Sequence, residues 1–165
     1  MAHDRLGFTF ASLMPLGPQL AVQTARDAAD LGYRSFWTAE TTGPEAFSLL
    51  AAAGAAAPGL DLGTGVLALQ LRTPMVAAMG AATLQALHPE ADILLGVGIS
   101  SPVVTSRWHG VDYGERPLAR MVEFRRANDG DGVLLMAADG RVLAHEQAAE
   151  RQAAPALMQA VRAAV

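Results

Sequence analysis

Apolar and polar positions along this chain follow two periods in turn, one of two residues and one of about 3.6. Leu6 to Phe10 alternates as a strand does. Leu20, Ala21, Thr24, Ala25, Ala28 and Leu31 then share one face of a helix, which Pro18 can open in its first turn and Gly32 can stop. Tyr33 to Thr38 is aromatic-rich and reads as a second strand. A polar loop over 40–43 leads to Pro44 and a second helix reaching about Ala57, closed by Pro58-Gly59. Leu60 to Val66 is a short third strand broken by glycine, and Leu67 to Arg72 continues extended or as a loop. Thr73-Pro74 sets an N-cap and a first-turn proline for a third helix to about Leu87, where His88-Pro89 ends it. Ala91 to Val97 is an apolar run of the kind buried on both faces in parallel sheets.

Four successive βα units with short turns predict an α/β fold with a parallel sheet and right-handed crossovers. Beyond Phe124 the texture changes. Residues 125–132 are polar and Gly/Asp-rich, and read as a linker. Gly132 to Met136 is another apolar strand, Asp139-Gly140 a turn, and Glu146 to Val165 a helix that Pro155 kinks or restarts.

Composition narrows the classes. The 165 residues make one domain's worth of chain, 52% hydrophobic and 17% charged, which argues against disorder. Every cationic residue is Arg, scattered through a chain of net charge −4, so no basic stripe predicts a nucleic-acid or anionic-membrane partner. There is no cysteine, which excludes thiolate catalysis and Cys-ligated zinc. No signal-peptide pattern and no apolar run of about 20 residues is present, which predicts a soluble cytoplasmic protein. His3, His88 and His145 lie far apart without paired acids, so no metal site is expected.

Three stretches in order resemble the luciferase-like monooxygenase family, and within it the coenzyme F420-dependent oxidoreductases. They are Ala29-Asp30-Leu31-Gly32-Tyr33-Arg34-Ser35-Phe36-Trp37-Thr38-Ala39-Glu40; Leu62-Gly63-Thr64-Gly65-Val66 with Arg72-Thr73-Pro74 and Ala81-Ala82-Thr83-Leu84; and Leu95-Gly96-Val97-Gly98 with Trp108-His109-Gly110 and Arg116-Pro117-Leu118-Ala119-Arg120. The resemblance implies a TIM-like (β/α) barrel, a fold of about 250 residues. Only part of one fits here. Residues 1–126 would supply the N-terminal half, about four βα units, and residues 127–165 a linker plus a strand and helix resembling the last βα unit.

In such barrels the ligand sits at the C-terminal ends of the strands. Glu40, after strand two, is there a candidate acid/base, or else a solvated loop charge. The family's sugar-phosphate dehydrogenases carry an Asp-His pair where this chain has Ala39-Glu40, so that chemistry does not transfer. Gly63, Thr64, Gly65 and Val66 are the cofactor-binding candidates after strand three. The resemblance implies a non-proline cis bond at Gly65–Val66, a bulge behind the cofactor ring; the alternative is a strand glycine that permits close packing. Ser100 and Ser101 can bond a flavin carbonyl or substrate, or cap the helix after Pro102. The Glu that the family's dehydrogenases place near Ser101 is absent. His109 is a second catalytic candidate, or a packed helix end. Arg72 and Arg116 suit phosphate, or anchor loops.

The resemblance implies an oxidoreductase moving hydride between F420 (alternatively FMN) and a small organic substrate, or else a monooxygenase. Most of the region of the loops after strands seven and eight, where TIM barrels often hold phosphate, is missing from this chain, so turnover by the chain alone is not implied. Two other readings stay open. One is a non-catalytic remnant that pairs as a homodimer to cover its sheet edges. The other is a Rossmann-type nucleotide-binding protein, since Gly63-Thr64-Gly65-Val66-Leu67-Ala68 fits G-x-G-x-x-A. Against the latter, the next helix starts only at Thr73-Pro74.

Overall fold

The computed structural model describes residues 3–116, 119, 133–136 and 142–145, with residues 3–5 and the last two segments as backbone alone. Strands β1 (His3–Thr9), β2 (Tyr33–Thr38), β3 (Asp61–Thr64) and β5 (Ile93–Gly98) pair in parallel in that order. Helices α1 (Pro18–Asp30), α2 (Ala46–Ala56) and α3 (Pro74–Leu87) lie between them in sequence. The order in space is the order in sequence, as expected when each strand is followed by one crossover helix.

Strand alternation decides which face meets the helices. Phe36 and Leu62, both fully buried, join Phe10 and the inward side of α1 and α2: Ala21, Ala25, Leu49, Leu50 and Ala53. Phe36 lies between Phe8 and Phe10, with ring centroids 5.8 and 6.2 Å away. The alanines let the helices sit close to the sheet. A second cluster of Leu67, Leu69, Leu95 and Val97 backs α3 through Ala77.

Helix starts follow local chemistry. Pro18 and Pro74 occupy first-turn positions, where the missing N–H costs no helical bond. The Thr73 hydroxyl accepts from Val76 N at 3.2 Å. For α2 the cap is Glu45, not Pro44: its carboxylate accepts from the Phe47 and Ser48 amides at 3.0 and 2.8 Å. Leu31 was expected on the buried face of α1, but that helix ends at Asp30 and Leu31 is 64% exposed.

The third strand departs most from its expected form. It breaks at Gly65–Val66, whose peptide is cis. Strand β3 ends at Thr64, and a two-residue strand β4 (Leu67–Ala68) resumes pairing, with β5 alone. One element carries no periodicity to reveal it, a 3-10 turn over Ala11–Leu16, while the helix expected after Pro102 is present as a wide π-type turn over Val103–Trp108. In the tail, β6 (Val133–Met136) pairs parallel with β5, so the expected late strand sits beside the fourth strand of the run. Strand β7 (Val142–His145) follows it antiparallel and was not expected. The expected helix over 146–165, the linker and the boundary at 126/127 lie outside the described residues.

The two ends of the sheet differ in character. At the N-terminal end, the Asp61 carboxylate, 5% exposed as a residue, accepts from Arg34 Nε at 2.7 Å and from Asp92 N at 3.0 Å, locking β2, β3 and the turn before β5. That is a stability device, on the end of the sheet opposite to where α/β ligands bind.

Between β3 and β5 the backbones approach closely. Thr64 Oγ1 donates to the Gly96 carbonyl at 2.8 Å, and a Cβ at Gly96 would overlap the Thr64 carbonyl oxygen. That neighbour is backbone and cannot swing aside. Gly96→Ala is therefore expected to destabilise the protein by about 3 kcal/mol, measured by urea unfolding.

Candidate functional site

Parallel pairing brings the C-terminal ends of β1, β2, β3 and β5 to one rim, and the sequence candidates collect there. The break after β3 forms the centre. Gly65 N donates to the Thr38 carbonyl at 2.6 Å, and Glu40 N donates to the Val66 carbonyl at 3.2 Å, so the bulge is tied at both sides to the end of β2. On its other side, Gly96 and Gly98 make room for Val66: a Cβ at Gly98 would come within 2.6 Å of Val66 Cγ2. Gly65 itself is exposed, and a Cβ there would meet only the Trp37 ring, at 3.6 Å. Bare backbone thus faces open space, a surface on which a flat ring can lie.

The four residues of this stretch divide. Gly63 and Thr64 are buried in the sheet, Gly63 under the Trp37 ring and Thr64 with its hydroxyl committed to Gly96. Gly65 and Val66 alone reach the rim. The glycines also lie at the end of a strand, and α3 starts only at Pro74. No helix N-terminus points at them, which removes the Rossmann reading.

Glu40 is held in a salt bridge. Arg72 Nε donates to Glu40 Oε2 at 2.8 Å and its Nη2 contacts Glu40 Oε1, a two-point fork between side chains only 16% and 12% exposed. The same Nη2 reaches Glu45 Oε1, and the guanidinium lies 5.1 Å over the Phe47 ring. The Glu40 hydrogen bond raises the Arg72 pKa against the opposing effect of burial. Burial pushes the Glu45 carboxyl up, but hydrogen bonds from Ser48 and Phe47 and the Arg72 charge outweigh it and hold the group below its ordinary 4.5. With both oxygens committed, Glu40 orients Arg72 rather than standing free to exchange protons. Two carboxylates therefore offset the Arg72 charge where a phosphate would otherwise meet it.

His109 is brought to the same place from 68 residues away: its Nε2 lies 2.6 Å from the Thr41 carbonyl. It tethers the loop after β5 to the loop after β2. With Glu40, Thr41, Glu45, Leu71, Arg72 and Val76 it lines an open cleft of about 340 Å3. Ser101 acts as a cap, its hydroxyl accepting from Val104 N at 3.3 Å. Ser100 is half-buried, and its amide donates to Gln70 Oε1 at 3.4 Å. Gln70 was not singled out in the sequence. It is 6% exposed, and its Nε2 has no hydrogen-bond partner among the described residues. No cluster of three metal-ligating side chains occurs among the described residues.

The model of the luciferase-like monooxygenases matches residues 10–130. The chain belongs to the luciferase-like monooxygenase family. A Mycobacterium tuberculosis protein, named for a proposed coenzyme F420-dependent oxidoreductase activity, is 38% identical over 107 residues, or 65% of this chain and 30% of that one. Among solved structures, the F420-dependent tetrahydromethanopterin reductase of Methanopyrus kandleri overlays with a TM-score of 0.64 at 16% identity, covering 73% of this chain and 38% of that one. The oxygenating constituent of 3,6-diketocamphane monooxygenase from Pseudomonas putida, solved with FMN, gives 0.62 at 19% identity, over 78% and 38%. The luciferase-like chain therefore carries part of a TIM-like barrel and spans about a third of its relatives' length. No helix among the described residues is long and apolar enough to cross a membrane.

Two outcomes follow from the Arg72 clamp. Arg72→Ala leaves Glu40 buried without its counter-charge, at an expected cost of about 3 kcal/mol in urea unfolding. The depressed Glu45 pKa means that its stabilisation is complete above pH 4.5 and drains as pH falls through the lower folded value. The stability gap between wild type and Glu45→Gln should therefore narrow below pH 4.5, as read by urea midpoints across pH.

Proposed function

We propose that this chain forms the ring-binding side of a flavin- or deazaflavin-dependent oxidoreductase, with F420 as cofactor and FMN as the alternative, acting on a small organic substrate. The observation that carries the reading is the bare Gly65 backbone at the strand C-termini, open to solvent and flanked by Val66. When bound, such a cofactor supplies the hydride chemistry itself. The chain's own contribution is placement: Gly65 and Val66 back the ring, Ser100 lies at the neighbouring strand end, and the loop tethered through His109 and Thr41 forms one wall of the cleft. Arg72, neutralised by Glu40 and Glu45, adds little pull on a phosphate tail.

A second reading has its own support. Glu40 has no free oxygen and His109 is spent on a backbone carbonyl, an arrangement that suits binding without turnover. Among the described residues β1 pairs on one side only, with β2, and a second copy of the chain is the simplest cover for such an edge.

Equilibrium dialysis against FMN and F420 separately tests the leading reading. Retention of either at micromolar concentration, weakened at least tenfold by Gly65→Val, is the expected result. Retention of neither would overturn it and leave the non-catalytic homodimer, which size-exclusion chromatography would then detect.

A further inference from the structure

Among the described side chains of the sheet, Trp37 is set apart by the glycines beneath it. Alternation puts Phe36 on the helix side of β2, and so puts Trp37 and Ser35 on the opposite face. There the indole lies flat across three strands. A Cβ at Gly7 on β1 would come within 2.6 Å of Trp37 Nε1, and one at Gly63 on β3 within 2.6 Å of Trp37 Cδ2. The pyrrole end thus rests on Gly7 and the benzene end on Gly63, with Gly65 alongside at 3.6 Å. Trp37 Nε1 donates to Ser35 Oγ at 2.7 Å, which fixes the ring in its plane. Two glycines, one on each neighbouring strand, clear the space for one indole, yet the residue remains only half-buried.

A ring so held has one face spent on backbone and the other turned away from the sheet, level with the Gly65 bulge. We propose that this outer face of Trp37 is a stacking platform, the floor of the site, on which the planar ring of the cofactor rests. Resting on the function proposed above, the inference adds a residue to the site and a class of contact: an aromatic plate that selects flat conjugated ligands. Offset stacking on such a plate adds to the burial of both rings, and here it costs little ordering because Ser35 and the glycines already hold the indole.

FMN is the probe, or F420 if only that is retained, because an indole in contact quenches the emission of either ring. The bound ring is expected to be dark in the wild-type chain and in Trp108→Leu, which removes the chain's other tryptophan. In Trp37→Leu it should be bright and bound roughly tenfold more weakly, with Trp37→Phe between the two. Equal emission and equal affinity in wild type and Trp37→Leu would overturn the platform while leaving the cofactor reading intact. Should Trp37→Leu fail to fold, the indole N–H resonances of the wild-type chain decide, assigned through Trp108→Phe. Binding must shift the Trp37 signal by ring current and leave Trp108 in place; a stationary Trp37 signal overturns the inference. Retention of neither cofactor overturns it together with the function on which it rests.

Discussion

Parallel strand pairing is the constraint from which the rest of this structure follows. A parallel neighbour cannot be reached by a tight turn, so helices connect β1, β2, β3 and β5 in turn and these strands point the same way. The C-terminal ends of β1, β2, β3 and β5 are thereby gathered on one rim, with the helices covering one face. Residues far apart in sequence then become neighbours without any local signal: Glu40 with Arg72, His109 with Thr41. The Asp61–Arg34 pair occupies the other end, where it serves only to hold strands together.

Charge is deployed on the rim in a way that matters for chemistry. Two carboxylates converge on one guanidinium, and each of the three is held by another. A lone acid at a strand end invites an acid/base role, but that role needs an oxygen able to exchange its proton with substrate. Here the clamp consumes it. The three side chains link the loop after β2, the start of α2 and the approach to α3, which makes them a brace for the rim.

Glycine does the opposite work on the other face. Gly7 and Gly63 admit the Trp37 ring, Gly96 admits the Thr64 carbonyl, and Gly98 admits Val66. Each removes one methyl's worth of volume where backbone or ring must come close. The resulting surface is flat and nearly free of side chains around Gly65, flanked by an indole. A flat conjugated molecule is the ligand that such a surface fits best.

How much of this was legible depends on the range of the interaction. Helix starts at Pro18 and Thr73-Pro74, the span of β2, and the bulge at Gly65–Val66 were all readable, because prolines, caps, alternation and a motif in order are local properties of the chain. The 3-10 turn and β7 were not, being too short to show a period, and the helix placed after Pro102 was legible without its π-type form. Site membership was legible only in outline. Glu40, His109, Gly65 and Val66 do reach one rim, but whether a carboxylate is free or clamped is decided by a partner 32 residues away. Whether Gly63 faces a cofactor or an indole is decided by the neighbouring strand. The sequence by itself determined the main helices and the parallel run of β1, β2, β3 and β5, since these depend on local periodicity and connections. Only the tertiary structure decided which polar groups were already satisfied, since a hydrogen bond belongs to whichever groups the fold brings within reach.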